Sequence, residues 1–155
     1  MRVLIVSDYY PPFIGGAHRQ TALIARSLAE RGHSVHVAAP WYAGAADEPD
    51  AAGVRVHRVR QLRTIVPRLC RPGQRHQPNF PDPVTAVALR RIVRSTRPDV
   101  VHAFGGMAFS AALALHGSST PMVLVARDYG YVCPTRTLVR EGSICSGPGV
   151  RKCLT

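Results

Sequence analysis

Hydrophobic positions along the chain fall into short blocks separated by polar, glycine- and proline-rich stretches. Val3 to Ser7 is a continuous apolar run with β-branched residues, as expected of a strand covered on both faces. Asp8 to Gly16 contains Pro11, Pro12, Gly15 and Gly16 and reads as a loop. Ala17 to Arg31 has helical spacing, with Ala22, Leu23, Ile24, Ala25, Leu28 and Ala29 supplying an apolar stripe and Gly32 a stop. Val35 to Ala39 reads as a second strand. Val54 to Val59 alternates apolar and basic residues, as in a strand nearer an edge. Arg60 to Pro83 is either a long loop or a loop around one short helix. Pro83 to Arg97 predicts a helix buried through Val84, Val87, Ala88, Leu89 and Ile92. Val100 to Ala103 predicts strand four, Met107 to His116 a helix and Met122 to Ala126 strand five. After Arg127 the periodicity stops, and 128–155 reads as a Cys-, Gly- and Pro-containing tail of the same domain.

About five strands alternating with three helices predict an α/β, Rossmann-like three-layer sandwich. Its mainly parallel sheet has helices on both faces, because right-handed crossovers place them there. The expected strand order is 3-2-1-4-5, with a switch point between strands 1 and 4. The loop 8–16, the turn at 102–106 and the stretch from Arg127 would meet at the carboxyl ends of the strands. Residues 1–155 suffice for one such domain.

Charge adds a second feature. Twenty Lys and Arg against nine Asp and Glu give a net +11, and Lys152 is the single lysine. Guanidinium groups fork onto phosphate and carboxylate oxygens, although a base-composition bias accounts for arginine richness equally well. No apolar run reaches the ~18–20 residues of a membrane span. The start of the chain lacks the pattern of a signal peptide, so a cytoplasmic protein with reduced thiols is expected. A nucleic-acid module is disfavoured: the arginines are dispersed, aromatics are 6% and no recognition motif appears. Such a basic anion-binding module without catalytic activity remains the alternative reading. A response-regulator domain would want an acidic cluster around Asp8, and none is present.

The candidate chemistry lies at three places. Gly15-Gly16 precedes the first helix, where free N–H groups and partial positive charge suit a diphosphate; the plain alternative is a tight turn. The spacing is neither G-x-G-x-x-G nor a Walker A loop, which disfavours nicotinamide, flavin and P-loop chemistry. His102 is expected at the end of strand four, either reaching a sugar hydroxyl or phosphate, or bonded to a backbone carbonyl. Gly105-Gly106 offers a second helix start able to hold an anion. Arg127-Asp128-Tyr129 follows strand five, as a phosphate or sugar contact or as a salt bridge bracing the loop. Cys133, Cys145 and Cys153 lack C-x-x-C spacing and read as free thiols or as a partial metal set.

The run from Arg2 through Tyr9-Tyr10-Pro11-Pro12-Phe13 to Gly15-Gly16-Ala17 has a familiar form. So do Leu28-Ala29-Glu30-Arg31-Gly32-His33, Val35–Ala39 and Arg97-Pro98-Asp99-Val100-Val101-His102. Together they resemble the N-terminal domain of family-four glycosyltransferases with the GT-B fold. Arg127-Asp128-Tyr129 before Cys133-Pro134 is similar to a subgroup of that family. The resemblance implies the acceptor-binding half of a retaining transferase that uses a nucleotide-diphosphate sugar as substrate and needs no metal or other cofactor. Gly15 and Gly16 would approach the donor phosphates. His102 and Asp128 would take the catalytic places, and Tyr10, Phe13, Arg127 and Tyr129 would bind acceptor or sugar. The acceptor would be lipid-linked or a small glycoside, and the basic Arg60–Arg75 segment would touch the membrane surface, unless it is a solvated face. The donor-binding half is expected elsewhere, so this chain alone should not turn over. Two positions depart from the family pattern: Phe104 and Arg127 stand where histidines are common.

Overall fold

A computed structural model describes residues 1–44, 52–66, 80–133, 137–147, 149 and 153. The element order is β1 (Arg2–Ser7), α1 (Gly16–Glu30), β2 (Ser34–Pro40), β3 (Arg55–Val59), α2 (Leu62–Ile65), α3 (Pro83–Thr96), β4 (Val100–Phe104), α4 (Met107–Ala114) and β5 (Met122–Val125). A 3-10 turn at Tyr129–Tyr131 and a hairpin of β6 (Val139–Arg140) and β7 (Ser143–Ile144) follow. The expected tail therefore has some regular structure. Of the two alternatives for 60–83, the described residues show a short helix, α2, and most of the basic Arg60–Arg75 segment lies outside the described residues.

The sheet is parallel throughout, in the order β3-β2-β1-β4-β5. The strands β1 and β2 are apolar on both faces because both faces are covered. On one side Val3, Ile5, Val35 and Val37 pack with Ala22 and Ala25 of α1. On the other Leu4, Val6, Val101 and Ala103 pack with Leu89 of α3 and with Met107, Ala108 and Ala111 of α4. A helix joining strands to the left of β1 and helices joining strands to its right must lie on opposite faces if every crossover is right-handed. Arg2 and Asp99 pair at 2.8 Å across the amino ends of β1 and β4.

Two helices turn differently from the apolar pattern. The face α3 buries is Thr85, Ala86 and Leu89, and Val87, expected inside, is 54% exposed. In α1 Leu23 is exposed and Thr21 is fully buried. Thr21 tolerates burial because its hydroxyl donates to the Ala17 carbonyl at 2.9 Å. The rotation of α3 has a similar polar cause. Asp82 anchors its first turn by accepting from the Val84 and Thr85 amides and the Thr85 hydroxyl, which draws the Thr85 face inward.

His36 and His57, neighbours across β2 and β3, stack with Nδ1 and Nε2 2.9 Å apart. One ring must stay neutral at that nitrogen to accept. Burial, then the charges of His57 and Arg55, holds His36 below its usual range. Burial lowers His18 and His102 as well. Groups whose folded pKa is depressed make the unfolded chain the better proton binder once pH falls below the ordinary histidine value of 6.5. Stability should therefore decline as pH drops through and below that value. The melting temperature is expected to be lower at about pH 5.5 than at about pH 7.5. His36→Gln should shrink the difference; a pH-independent melting temperature in that window would contradict the histidine assignment.

Candidate functional site

The carboxyl ends of β1, β4 and β5 gather the residues singled out in the sequence, with one change of place. β4 runs to Phe104, so His102 sits in mid-strand and not at the strand end. Its partners are Ile5 on β1 and Val123 on β5. Strand alternation puts it on the α1 side of the sheet, together with Phe104. The two rings lie 4.4 Å apart, and burial, then the charge of Arg127, lowers the His102 pKa. Both influences favour the uncharged imidazole.

Arg127 completes this stack. Its Cζ lies 3.7 Å from the Phe104 ring centre, a cation–π geometry. Nη1 donates to Thr21 Oγ1 at 3.1 Å and to the Ala17 carbonyl at 3.3 Å, tying the end of β5 to the first turns of α1. Nε and Nη2 are shielded from solvent and lack a hydrogen-bond partner among the described residues. These two nitrogens form the side-on edge of a guanidinium, the edge that grips a carboxylate or phosphate in bidentate fashion. Burial lowers the Arg127 pKa, against the opposing influence of Tyr131 and Tyr9.

Asp8 is the functional-site residue the sequence reading left unassigned. Its carboxylate accepts from the Gly106 amide at 2.5 Å and the Met107 amide at 3.0 Å, so it occupies the amino end of α4. The second glycine pair is therefore no open anion site: the chain supplies its own anion. The signal was present, since Asp8 closes β1 next to the strand that Gly105-Gly106 follows. Pairing β1 with β4 across 98 positions was needed to see it.

Helix α1 starts in the opposite state. Gly15 is its N-cap, makes no side-chain capping bond, and no acidic residue lies in the first turn. By contrast α3 is capped by Asp82, α4 by Asp8, and the 3-10 turn by Asp128, which accepts from Gly130 N at 2.7 Å. Gly15 and Gly16 are exposed, and a β-carbon on Gly15 would come 2.9 Å from His18 Nδ1. Among the described residues no side chain caps the α1 start, which leaves its amide donors and partial positive charge to an outside anion.

The remaining candidates divide. Phe13 and Tyr129 are exposed, each at 54%. Phe13 meets the ring of Tyr42 at 5.1 Å and that of His18 at 6.2 Å, which makes an aromatic edge beside the α1 start. Tyr10 is 4% exposed and packs within the α1-side core. The loop that carries it folds back because Arg58 of β3 donates to the Pro11 carbonyl at 2.6 Å and lies 5.0 Å from the Tyr42 ring. Arg58 and Tyr42 escaped the sequence reading, since neither stands in a motif. Tyr131, also unforeseen, donates to the Gly105 carbonyl at 3.1 Å. Among the described residues no group of three or more His, Cys, Asp or Glu is placed to hold a metal ion, and Cys133, Cys145 and Cys153 form no disulfide with one another.

Comparison with known proteins adds family and fold. Residues 15–151 match the model of the glycosyl transferase 4-like domain. A glycosyltransferase from Rickettsia africae superposes with a TM-score of 0.50 at 18% identity, over 79% of this chain. This chain spans 28% of that structure's length. The C-terminal domain of a hydrogenase from Pyrococcus furiosus superposes with a TM-score of 0.52 at 16% identity, over 81% of this chain and 90% of that one. At such identities the two structures speak to the fold alone. No curated protein matches the sequence.

Proposed function

Because the chain belongs to the glycosyl transferase 4-like domain family, we propose that it is the acceptor-side half of a retaining glycosyltransferase that takes a nucleotide-diphosphate sugar. The observation that carries this is the uncapped glycine start of α1 beside the unpaired edge of Arg127. A retaining transfer must stabilise the leaving diphosphate and hold the acceptor hydroxyl against the same face of the sugar. The amides after Gly15 and Gly16 serve the first need, donating into the charge that develops on the departing phosphate. Arg127 serves the second, its Nε and Nη2 donating to a sugar or acceptor oxygen once a ligand displaces what now covers them.

In this reading His102, packed against Phe104 beneath Arg127, exchanges a hydrogen bond with a sugar hydroxyl, and its packing supports that part. Asp128 is committed to Gly130 and shapes the loop that carries Tyr129, so positioning describes its part better than proton transfer. Phe13 and Tyr129 present exposed rings to an acceptor, a lipid-linked sugar or a small glycoside. The reaction uses no metal or other cofactor, takes place in the cytoplasm, and requires the donor-binding half, so the chain alone is inactive.

The test is a transfer assay on the full-length gene product with a panel of nucleotide sugars, the anomeric configuration of the product being read by NMR. One donor should be consumed with its configuration kept. Inverted product, or no transfer from any nucleotide sugar, would refute the reading. Arg127→Met should lower kcat/KM about tenfold or more, the loss of a hydrogen bond from a charged donor. Unchanged kinetics would remove Arg127 from the site.

A further inference from the structure

Positive charge is not spread evenly over the chain. Between Val54 and Pro98 stand eleven arginines and a single carboxylate, Asp82, while the other nine Lys and Arg are set among eight carboxylates. Asp82 is buried and engaged by the amides of Leu62, Val84 and Thr85, so it offers nothing to the surface. Three of those arginines fall outside the described residues, and the other eight lie on or next to β3, α2 and α3, which thus carry a strong net positive charge.

The outer face of α3 has a definite pattern there. Val87 is 54% exposed, and Arg90, Arg91 and Arg94, at i+3, i+4 and i+7 from it, are exposed with it. A groove of about 490 Å³ runs along this face. Its lining is Pro83, Val84, Val87 and Ala88, with Arg60 and Arg91 beside them. Arg60 is held in place by stacking 4.9 Å from the Trp41 ring. Near the amino end of α3, the exposed side chains of Ile65 on α2 and of Phe80 add apolar surface. Asp82 brings these together, since it binds the first amide of α2 as well as the first turn of α3.

We propose that this face docks on an anionic lipid bilayer, with the arginines at the headgroups and Val87, Ile65 and Phe80 at the acyl boundary. Charge complementarity selects an anionic partner. The apolar groove between the cations selects a bilayer over a nucleic acid, whose backbone would gain nothing from the apolar side chains. The site is shifted from the basic 60–75 segment toward the α3 helix, and it holds whether or not the transferase reading does.

The experiment is vesicle flotation of the full chain. The probes are phosphatidylcholine vesicles with and without phosphatidylglycerol, the latter at about one lipid in three. Binding is expected to the anionic vesicles alone and to weaken with salt. Arg60→Gln with Arg91→Gln should reduce it about 30-fold, from about 1 kcal/mol for each cation near the surface. Val87→Asp should reduce it further, while Arg31→Gln with Arg140→Gln, equal in charge change but on other elements, should leave it within about twofold. Equal losses in both double variants would mean unspecific charge attraction and overturn the proposal. So would the absence of flotation, or retention of single-stranded RNA by the same face without vesicle binding. The substituted side chains of α3 and Arg60 are exposed, and an unchanged circular dichroism melt confirms that each variant folds.

Discussion

Asp82→Ala is expected to lower the stability of the domain by about 3 kcal/mol, a drop of roughly 6–12 °C in melting temperature for a chain of this size. The carboxylate is 5% exposed and accepts from four donors: Val84 N at 2.9 Å, Thr85 N at 3.3 Å, Leu62 N at 2.8 Å and the Thr85 hydroxyl at 3.0 Å. Its own amide donates to Ser110 Oγ of α4 at 2.9 Å. Alanine would leave donors at the starts of α2 and α3 without partners, where water reaches them poorly. Asparagine keeps one acceptor oxygen, so Asp82→Asn should recover part of the loss. Thermal unfolding followed by circular dichroism reads both; a shift of under about 2 °C for the alanine variant would show that the donors find other acceptors.

Gly105→Ala should cost about 2–3 kcal/mol, by adding left-handed backbone strain to the loss of a helix cap. Gly105 has φ 67, a conformation that L side chains rarely adopt. A β-carbon there would also run into the Asp8 carboxylate, which would have to leave the amides of Gly106 and Met107. The Gly105 carbonyl accepts from Tyr131, so the loop after β5 would be disturbed as well. The collision makes a sharp test. Asp8→Ala alone should cost about 1 kcal/mol. In the double variant the obstruction is gone, and the two costs should fall short of their sum by about 0.5–1 kcal/mol. Strict additivity in denaturant unfolding would show that the carboxylate and the new methyl group do not compete.

Both residues illustrate what a linear reading passes over. Asp82 precedes Pro83 and has the form of a helix cap, which local pattern can suggest. That it also caps α2 and is shielded from solvent depends on how α2 and α4 pack around it. The burial of α3 shows the same limit: Val84, Val87 and Ala88 look like an inward stripe, yet Val87 faces out. Hydrophobic spacing locates a helix better than it sets its rotation, because a single buried polar anchor can turn the helix by a large part of its circumference. His102 moved from a strand end to mid-strand for a comparable reason. Strand ends depend on which partner strand extends beside them, and β1 and β5 carry β4 on to Phe104.

The alternation of short β-branched runs with helical stretches determined the strands, the order 3-2-1-4-5 and the faces taken by the helices, because local periodicity and right-handed crossover leave few other arrangements. It also marked two glycine pairs at helix starts as candidate anion sites. Tertiary structure alone distinguished them. Pairing of β1 with β4 carries Asp8 onto the amides after Gly105-Gly106, while α1 begins at Gly15-Gly16 with no carboxylate among the described residues capping its first turn and with Arg127 against its flank. An electrostatic site is defined by which charges arrive beside it, and those come from residues about a hundred positions away that no local pattern can read.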